Sequence, residues 1–145
     1  TVLERTNFRH LEFERIGHKV DLVVIDASFI SLNLILPKAL EFLKVGGRIL
    51  ALVKPQFEAG VAEVGKRGLV KNEEIHSRIL KQLNELATKL QLVILGQMES
   101  VIKGKKSGNR EFFIYLQLQQ DSVSPLQRAN VDDPGTLQCE ETHSR

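Results

Sequence analysis

The stretch Val20-Asp21-Leu22-Val23-Val24-Ile25-Asp26 decides the fold. It is a short apolar run rich in β-branched residues, and such runs belong to parallel strands covered on both faces. The period then changes. Ser28 or Ser31 can cap a helix, and Leu32, Leu36, Ala39, Leu40 and Leu43 recur at helical spacing. Pro37 predicts a kink, or a helix whose regular part begins near Leu36, and Gly46-Gly47 is expected to end it. Arg48-Ile49-Leu50-Ala51-Leu52-Val53-Lys54 repeats the first run as a second buried strand, stopped by Pro55.

Residues 55–72 are punctuated by glycine, show no apolar period and read as one long loop. Asn72 caps a helix from about Glu73 to Leu90, with Ile75, Ile79, Leu83, Leu86 and Leu90 on one face. Gln91 to Gln97 is a third strand, Gly104 to Asn109 a polar turn, and Glu111 to Gln119 a fourth strand antiparallel to the third. The class is α/β, with a mostly parallel sheet and one antiparallel strand. Residues 1–120 form the folded domain. Residues 121–145 have no aromatic residue and no apolar period, and are expected to be a disordered tail.

Composition narrows the function classes. The domain holds 18 Lys/Arg against 13 Asp/Glu, and the tail two against five, so +5 and −3 give the net +2. A basic body suits a polyanionic partner. The lone Cys139 forms no internal disulfide and points to a reducing cytoplasm. One Cys and four scattered His give no metal-ligand spacing. No apolar run approaches the roughly 18 residues of a membrane span. The start, Thr1-Val2-Leu3-Glu4-Arg5, has no initiator Met or leader and reads as the inside of a longer gene product.

In open α/β sheets ligands bind beyond the carboxyl ends of the parallel strands. Asp26 and Lys54 both leave strands at that rim, and Pro55 confines Lys54 to an extended backbone. Singly, each has a plain explanation: a solvated lysine, and an aspartate capping a helix. Together with their neighbours they form a pattern. Asp26-Ala27-Ser28-Phe29-Ile30-Ser31-Leu32, Leu52-Val53-Lys54-Pro55-Gln56-Phe57-Glu58-Ala59-Gly60 and Gly108-Asn109-Arg110-Glu111-Phe112-Phe113 resemble three motifs of the TlyA-type haemolysin A proteins. These are FtsJ-like ribosomal RNA 2′-O-methyltransferases. Glu4-Arg5-Thr6-Asn7-Phe8-Arg9, Gly65-Lys66-Arg67-Gly68 and Ser100 also match, so the resemblance covers roughly residues 4–118. One departure is Ser100-Val101-Ile102-Lys103-Gly104, where the family usually has Ser-Pro-Ile-x-Gly.

The resemblance implies a Rossmann-like sheet of order 3-2-1-4-5-7-6, of which this chain supplies strands 4, 5, 7 and 6. It also implies S-adenosylmethionine as cofactor and ribosomal RNA or a ribosomal subunit as partner. The family's Lys-Asp-Lys-Glu tetrad then puts its Asp on Asp26, its second Lys on Lys54 and its Glu on Glu111. The first Lys, the glycine-rich cofactor turn and the acid for the cofactor ribose precede Thr1 in the family, so no cofactor-binding residue is assigned. The chemistry stands without the name. A ribose hydroxyl is a very weak acid, and a lysine held among carboxylates can take its proton or shield the oxygen as charge develops.

Lys66, Arg67, Lys103, Lys105, Lys106 and Arg110 flank the strand ends, where RNA phosphates would lie. Phe57 either packs against a base or anchors its loop, with packing favoured. His10, His18 and His76 read as surface residues. Without its central neighbour, the Val20–Asp26 strand is expected to be a long apolar edge. The competing reading is a non-catalytic fragment that binds RNA or a partner. A membrane-lytic role, suggested by the haemolysin name, lacks both a spanning segment and a strongly basic amphipathic helix.

Overall fold

The computed structural model describes residues 2–102 and 108–119. The expectations about Lys103, Lys105 and Lys106, and about the tail 121–145, lie outside the described residues. Four strands, β1 (Val20–Ile25), β2 (Leu43–Val53), β3 (Leu92–Glu99) and β4 (Phe112–Leu118), form one sheet in the order β1-β2-β4-β3. β1 and β2 are parallel, and β4 runs antiparallel to both β2 and β3. Three strands thus share a direction and one opposes them, the α/β arrangement the sequence predicts for strands 4, 5, 7 and 6.

Two helices cover a single face of this sheet. In α1 (Leu32–Leu40) the Ser31 side chain accepts from the Asn33 amide, and Leu32, Ile35, Leu36 and Ala39 are buried. In α3 (Glu73–Lys89) Asn72 caps the Glu74 amide, and the buried residues are His76, Ile79, Leu83 and Ala87. Against them, β2 turns in Ile49, Ala51 and Val53, and β4 turns in Phe112, Ile114 and Leu116. The period of two leaves Leu50, Phe113 and Tyr115 on the other face, where with Leu22, Gly96 and Met98 they line an open apolar groove of about 600 Å³. Phe8 and Phe13, from the amino-terminal segment, close one end of the helical layer against Phe42, at ring separations of 5.7 and 5.9 Å.

Several expectations are corrected. β1 is not covered on both faces but is the apolar edge expected without a central neighbour: among the described residues it has one neighbour, and Leu22 and Val24 are 51% and 65% exposed. Gly46-Gly47 does not end α1, which stops at Leu40. The pair lies inside β2, where the register against β1 jumps from Val20↔Leu43 to Leu22↔Arg48. Gly46 has φ 72°, and a Cβ on Gly47 would sit 2.8 Å from the Lys44 carbonyl oxygen. Only glycine takes that fold of the chain.

The stretch 55–72 is not one irregular loop. It contains α2 (Pro55–Glu58), with Pro55 at the first helical position, and short turns at Val61–Glu63 and Lys66–Gly68. His76 is no surface residue: it is 4% exposed, because 76, 79, 83 and 87 form one helical stripe.

Gly47→Ala is expected to lose about 1–3 kcal/mol in urea denaturation, the cost of forcing atoms into a filled site. Gly96→Ala, where a Cβ would meet nothing within 4 Å, should stay within about 0.5 kcal/mol of the parent.

Candidate active site

Asp26 follows β1 directly and Lys54 follows β2, so the parallel register delivers both to the carboxyl rim of the sheet. The Lys54 ammonium lies 2.5 Å from Asp26 Oδ1 and 3.2 Å from the Ser28 hydroxyl. The lysine side chain is 13% exposed and the aspartate 68%, so the pair has a dry side and a wet side. The last β2–β4 register pair is Val53↔Phe112. Glu111 precedes Phe112 and stands at the same end of the sheet as Lys54. Glu111 is not the first strand residue, as the sequence suggested, but the residue before it. Its carbonyl accepts the Ser100 amide at 2.8 Å, fastening β4 to the end of β3. Among the described residues, Glu111 forms no direct ion pair with Lys54.

Two loops meet at this rim, residues 26–31 after β1 and 54–59 after β2. Besides the Lys54 contacts, the Phe29 and Phe57 rings lie 5.0 Å apart, tilted by 47°. Phe57 thus contacts a ring of the neighbouring loop, which fits the anchoring alternative to the base packing that the sequence favours. Sequence reasoning gave no role to Phe29. It is 90% exposed with φ 62°, a conformation that costs a bulky L-residue roughly 1–2 kcal/mol. An aromatic three residues beyond a strand-ending acid, outside any apolar period, was the available signal.

Behind the rim, Asn109 is fully buried. Its side-chain oxygen accepts the Val70 amide at 2.8 Å, and its side-chain nitrogen donates to the Gly68 carbonyl at 2.8 Å. His76 Nε2 and the Val70 carbonyl oxygen are 3.1 Å apart, closing a small polar network in the core. This network holds the Lys66–Gly68 turn beside the start of β4. Lys66 and Arg67 are exposed on it, Arg67 at φ 66°, and neither joins an ion pair among the described residues. Arg110, expected at RNA phosphates, directs its guanidinium in this structure to Glu99 at 2.5 and 2.8 Å and to Glu73 at 2.9 Å.

The 60–63 turn is clamped differently. Glu63 takes two bonds of 2.6 Å from Arg78 on α3 and one of 2.9 Å from the Gly60 amide. The Arg78 bonds, with the Gly60 amide behind them, pull the Glu63 carboxyl down from 4.5 to about 2. A lowered carboxylate pKa stabilises the fold above the unfolded value and loses that contribution as pH falls through the folded one. Acid titration should therefore show a Glu63 contribution disappearing between about pH 4.5 and pH 2. Glu63→Gln should flatten that part of the stability profile; an unchanged profile would mean that the clamp is not formed in solution.

No helix among the described residues is long and apolar enough to cross a membrane. Among them no group of three or more His, Cys, Asp or Glu is placed to hold a metal ion. The FtsJ-like methyltransferase family pattern matches residues 1–118. The chain is 42% identical over 120 residues to the 16S/23S rRNA (cytidine-2′-O)-methyltransferase TlyA of Mycobacterium tuberculosis, covering 83% of this chain and 44% of the relative. With the 23S rRNA (cytidine-2′-O)-methyltransferase TlyA of Campylobacter jejuni it shares 34% identity over 114 residues, 77% of this chain and 42% of the relative. It thus spans less than half the length of these relatives. A crystal structure of a protein described as a haemolysin from Lactococcus lactis superimposes with a TM-score of 0.77 at 36% identity, covering 83% of this chain and 57% of that one.

Proposed function

This chain belongs to the FtsJ-like methyltransferase family, and from that premise we propose that it is the catalytic half of a ribosomal RNA ribose 2′-O-methyltransferase. The observation that carries the proposal is the Lys54–Asp26 pair, 2.5 Å apart at the carboxyl rim, with Glu111 just ahead of the adjacent strand at the same end. In the reaction, the ribose 2′-oxygen attacks a methyl carbon while its proton passes to solvent water at the open, Asp26 side of the rim. Lys54 meets the charge developing on that oxygen, Asp26 holds the lysine in place, and Glu111 completes the charged ring.

S-adenosylmethionine, when bound, supplies the methyl on a sulfonium centre and leaves as a neutral thioether. A groove of about 190 Å³ at the end of β1, lined by Phe8, Val24, Asp26 and Ala27, fits one flank of such a cation: apolar walls with one carboxylate. None of the described parallel strands ends in a glycine-rich turn leading into a helix, the usual cofactor cradle. We therefore assign the cradle to a partner half of the methyltransferase domain, and assign none of its residues here.

Lys66 and Arg67, with Lys103, Lys105 and Lys106, are our assigned phosphate contacts. Arg110, the sixth candidate, is held by Glu99 and Glu73 and would have to leave them to reach a phosphate. The exposed face of Phe29 suits stacking with a nucleobase beside the reacting ribose. A ribosomal substrate puts the protein in the cytoplasm.

In the whole methyltransferase, Lys54→Ala should lower methyl transfer to ribosomal subunits at least about 100-fold and leave RNA affinity nearly intact. Changing Lys103, Lys105 and Lys106 together to Ala should do the reverse. Binding should weaken and its salt slope fall by about one unit for each phosphate no longer neutralised. An unchanged slope would reduce the basic turn to a solvated loop, and active Lys54→Ala would remove the proposal's centre. The 145-residue chain alone should not saturate with S-adenosylmethionine in a calorimetric titration. Tight binding would show that it carries a cradle of its own.

A further inference from the structure

Glu58 takes no part in the chemistry described above, yet it ties together the two loops that carry that chemistry. Its Oε2 accepts the Ser31 hydroxyl at 2.6 Å and its Oε1 accepts the Leu32 amide at 2.9 Å. The Ser31 oxygen is already an acceptor for the Asn33 amide at 3.1 Å, so its one proton goes to Glu58. Lys54 is the amino-terminal cap of α2 and Glu58 is its last residue. Four residues apart on one helical turn, they grip the same neighbouring loop at its two ends: Lys54 at Asp26 and Ser28, Glu58 at Ser31 and Leu32.

We propose that Glu58 is a positioning residue, which sets the angle of α2 against the amino terminus of α1 and thereby aims Lys54 at Asp26. This rests on the proposed methyl transfer. The turn formed by Pro55–Glu58 is too short to fix its own orientation, because one helical turn is not stable alone. Besides the Glu58 bonds, the Phe29–Phe57 contact and the Lys54 contacts join the two loops. The first of these is exposed, and the second is the geometry to be fixed.

Stability alone does not account for a carboxylate here. Burial pushes the Glu58 carboxyl above its ordinary value, against the bonds from Ser31 and Leu32. A raised carboxylate pKa helps the fold below the unfolded value and loses that help as pH rises through the folded one, so the ionised group burdens the fold at neutral pH.

Lys54 and Lys38 are both shielded, with side chains 13% and 19% exposed, and they separate a local effect from a global one. The 145-residue chain is treated with acetic anhydride, and the labelling rates of both lysines are read by mass spectrometry. In Glu58→Ala, Lys54 should label at least about tenfold faster while Lys38 keeps its parent rate. If both rates rise together, that variant has loosened throughout, and Glu58→Gln, which retains an acceptor for the Leu32 amide, decides. A selective rise at Lys54 in Glu58→Gln supports the proposal, and an unchanged Lys54 rate overturns it.

In the whole methyltransferase, with unmethylated ribosomal subunits as substrate, Glu58→Ala should lose about 100-fold in kcat at little changed KM, with Glu58→Gln recovering part of it. A kcat within about twofold of the parent would overturn the positioning role. If the parent itself methylated no ribosomal RNA, the functional reading would fail while the labelling result still decided what Glu58 does to Lys54.

Discussion

The antiparallel pairing of β2 with β4 is the contact on which the rest of this structure depends. From Arg48↔Gln117 to Val53↔Phe112 it joins the strand before the first long intervening segment to the last strand of the fold. Everything between, α2, α3 and β3, must then return to one place. The pairing explains why residues 54 and 111 share an edge of the sheet although 57 positions separate them in sequence. It also creates the middle of the core. Ile49, Ala51 and Val53 on one strand and Ile114 and Leu116 on the other are fully buried under α1 and α3. Such a non-local pairing carries an entropic cost in loop closure, and the burial of those side chains is what offsets it.

Much of this was legible in the sequence, for a physical reason. A strand or helix that packs on a core carries the period of its own geometry, so β2 and α3 were readable from apolar spacing and α3 from its Asn72 cap. The rim positions of Asp26 and Lys54 followed from where those periods stop. The failures share a cause as well. Gly46-Gly47 is a helix stop on local chemistry, and it became a fold within β2 because β1 had to be paired. His76 looked polar and therefore exposed, although its spacing to Ile79, Leu83 and Ala87 put it on the buried stripe. The short turns between Pro55 and Gly68 were hidden because their stabilising partners, Ser31, Arg78 and Asn109, are far away in sequence. Phe29 gave least warning of all, since its backbone conformation is set by the turn around it and not by its own preference.

The layers are unequal. Helices cover one face of the sheet, and Leu50, Met98, Phe113 and Tyr115 lie on a face that has no layer among the described residues. The active-site candidates are supported from the covered side only. The buried Asn109 network and the Glu58 bonds both run from the rim back toward the helices. Lys54 is correspondingly shielded and Asp26 open, an asymmetry that leaves the aspartate side of the pair facing whatever approaches the rim.

That asymmetry bears on β1 in another way. An edge strand with a single neighbour is poorly defended against sliding, and the pairing of β1 with β2 is already irregular between Val20 and Leu22. A slip of one residue would exchange the strand's two faces and carry Asp26 away from Lys54, presenting Ala27 in its place. The ion pair is therefore also a lock on alignment. A molecule whose first strand has settled in the wrong frame is, by the same displacement, one whose charged pair cannot close, so misalignment and an unpaired Lys54 arise together.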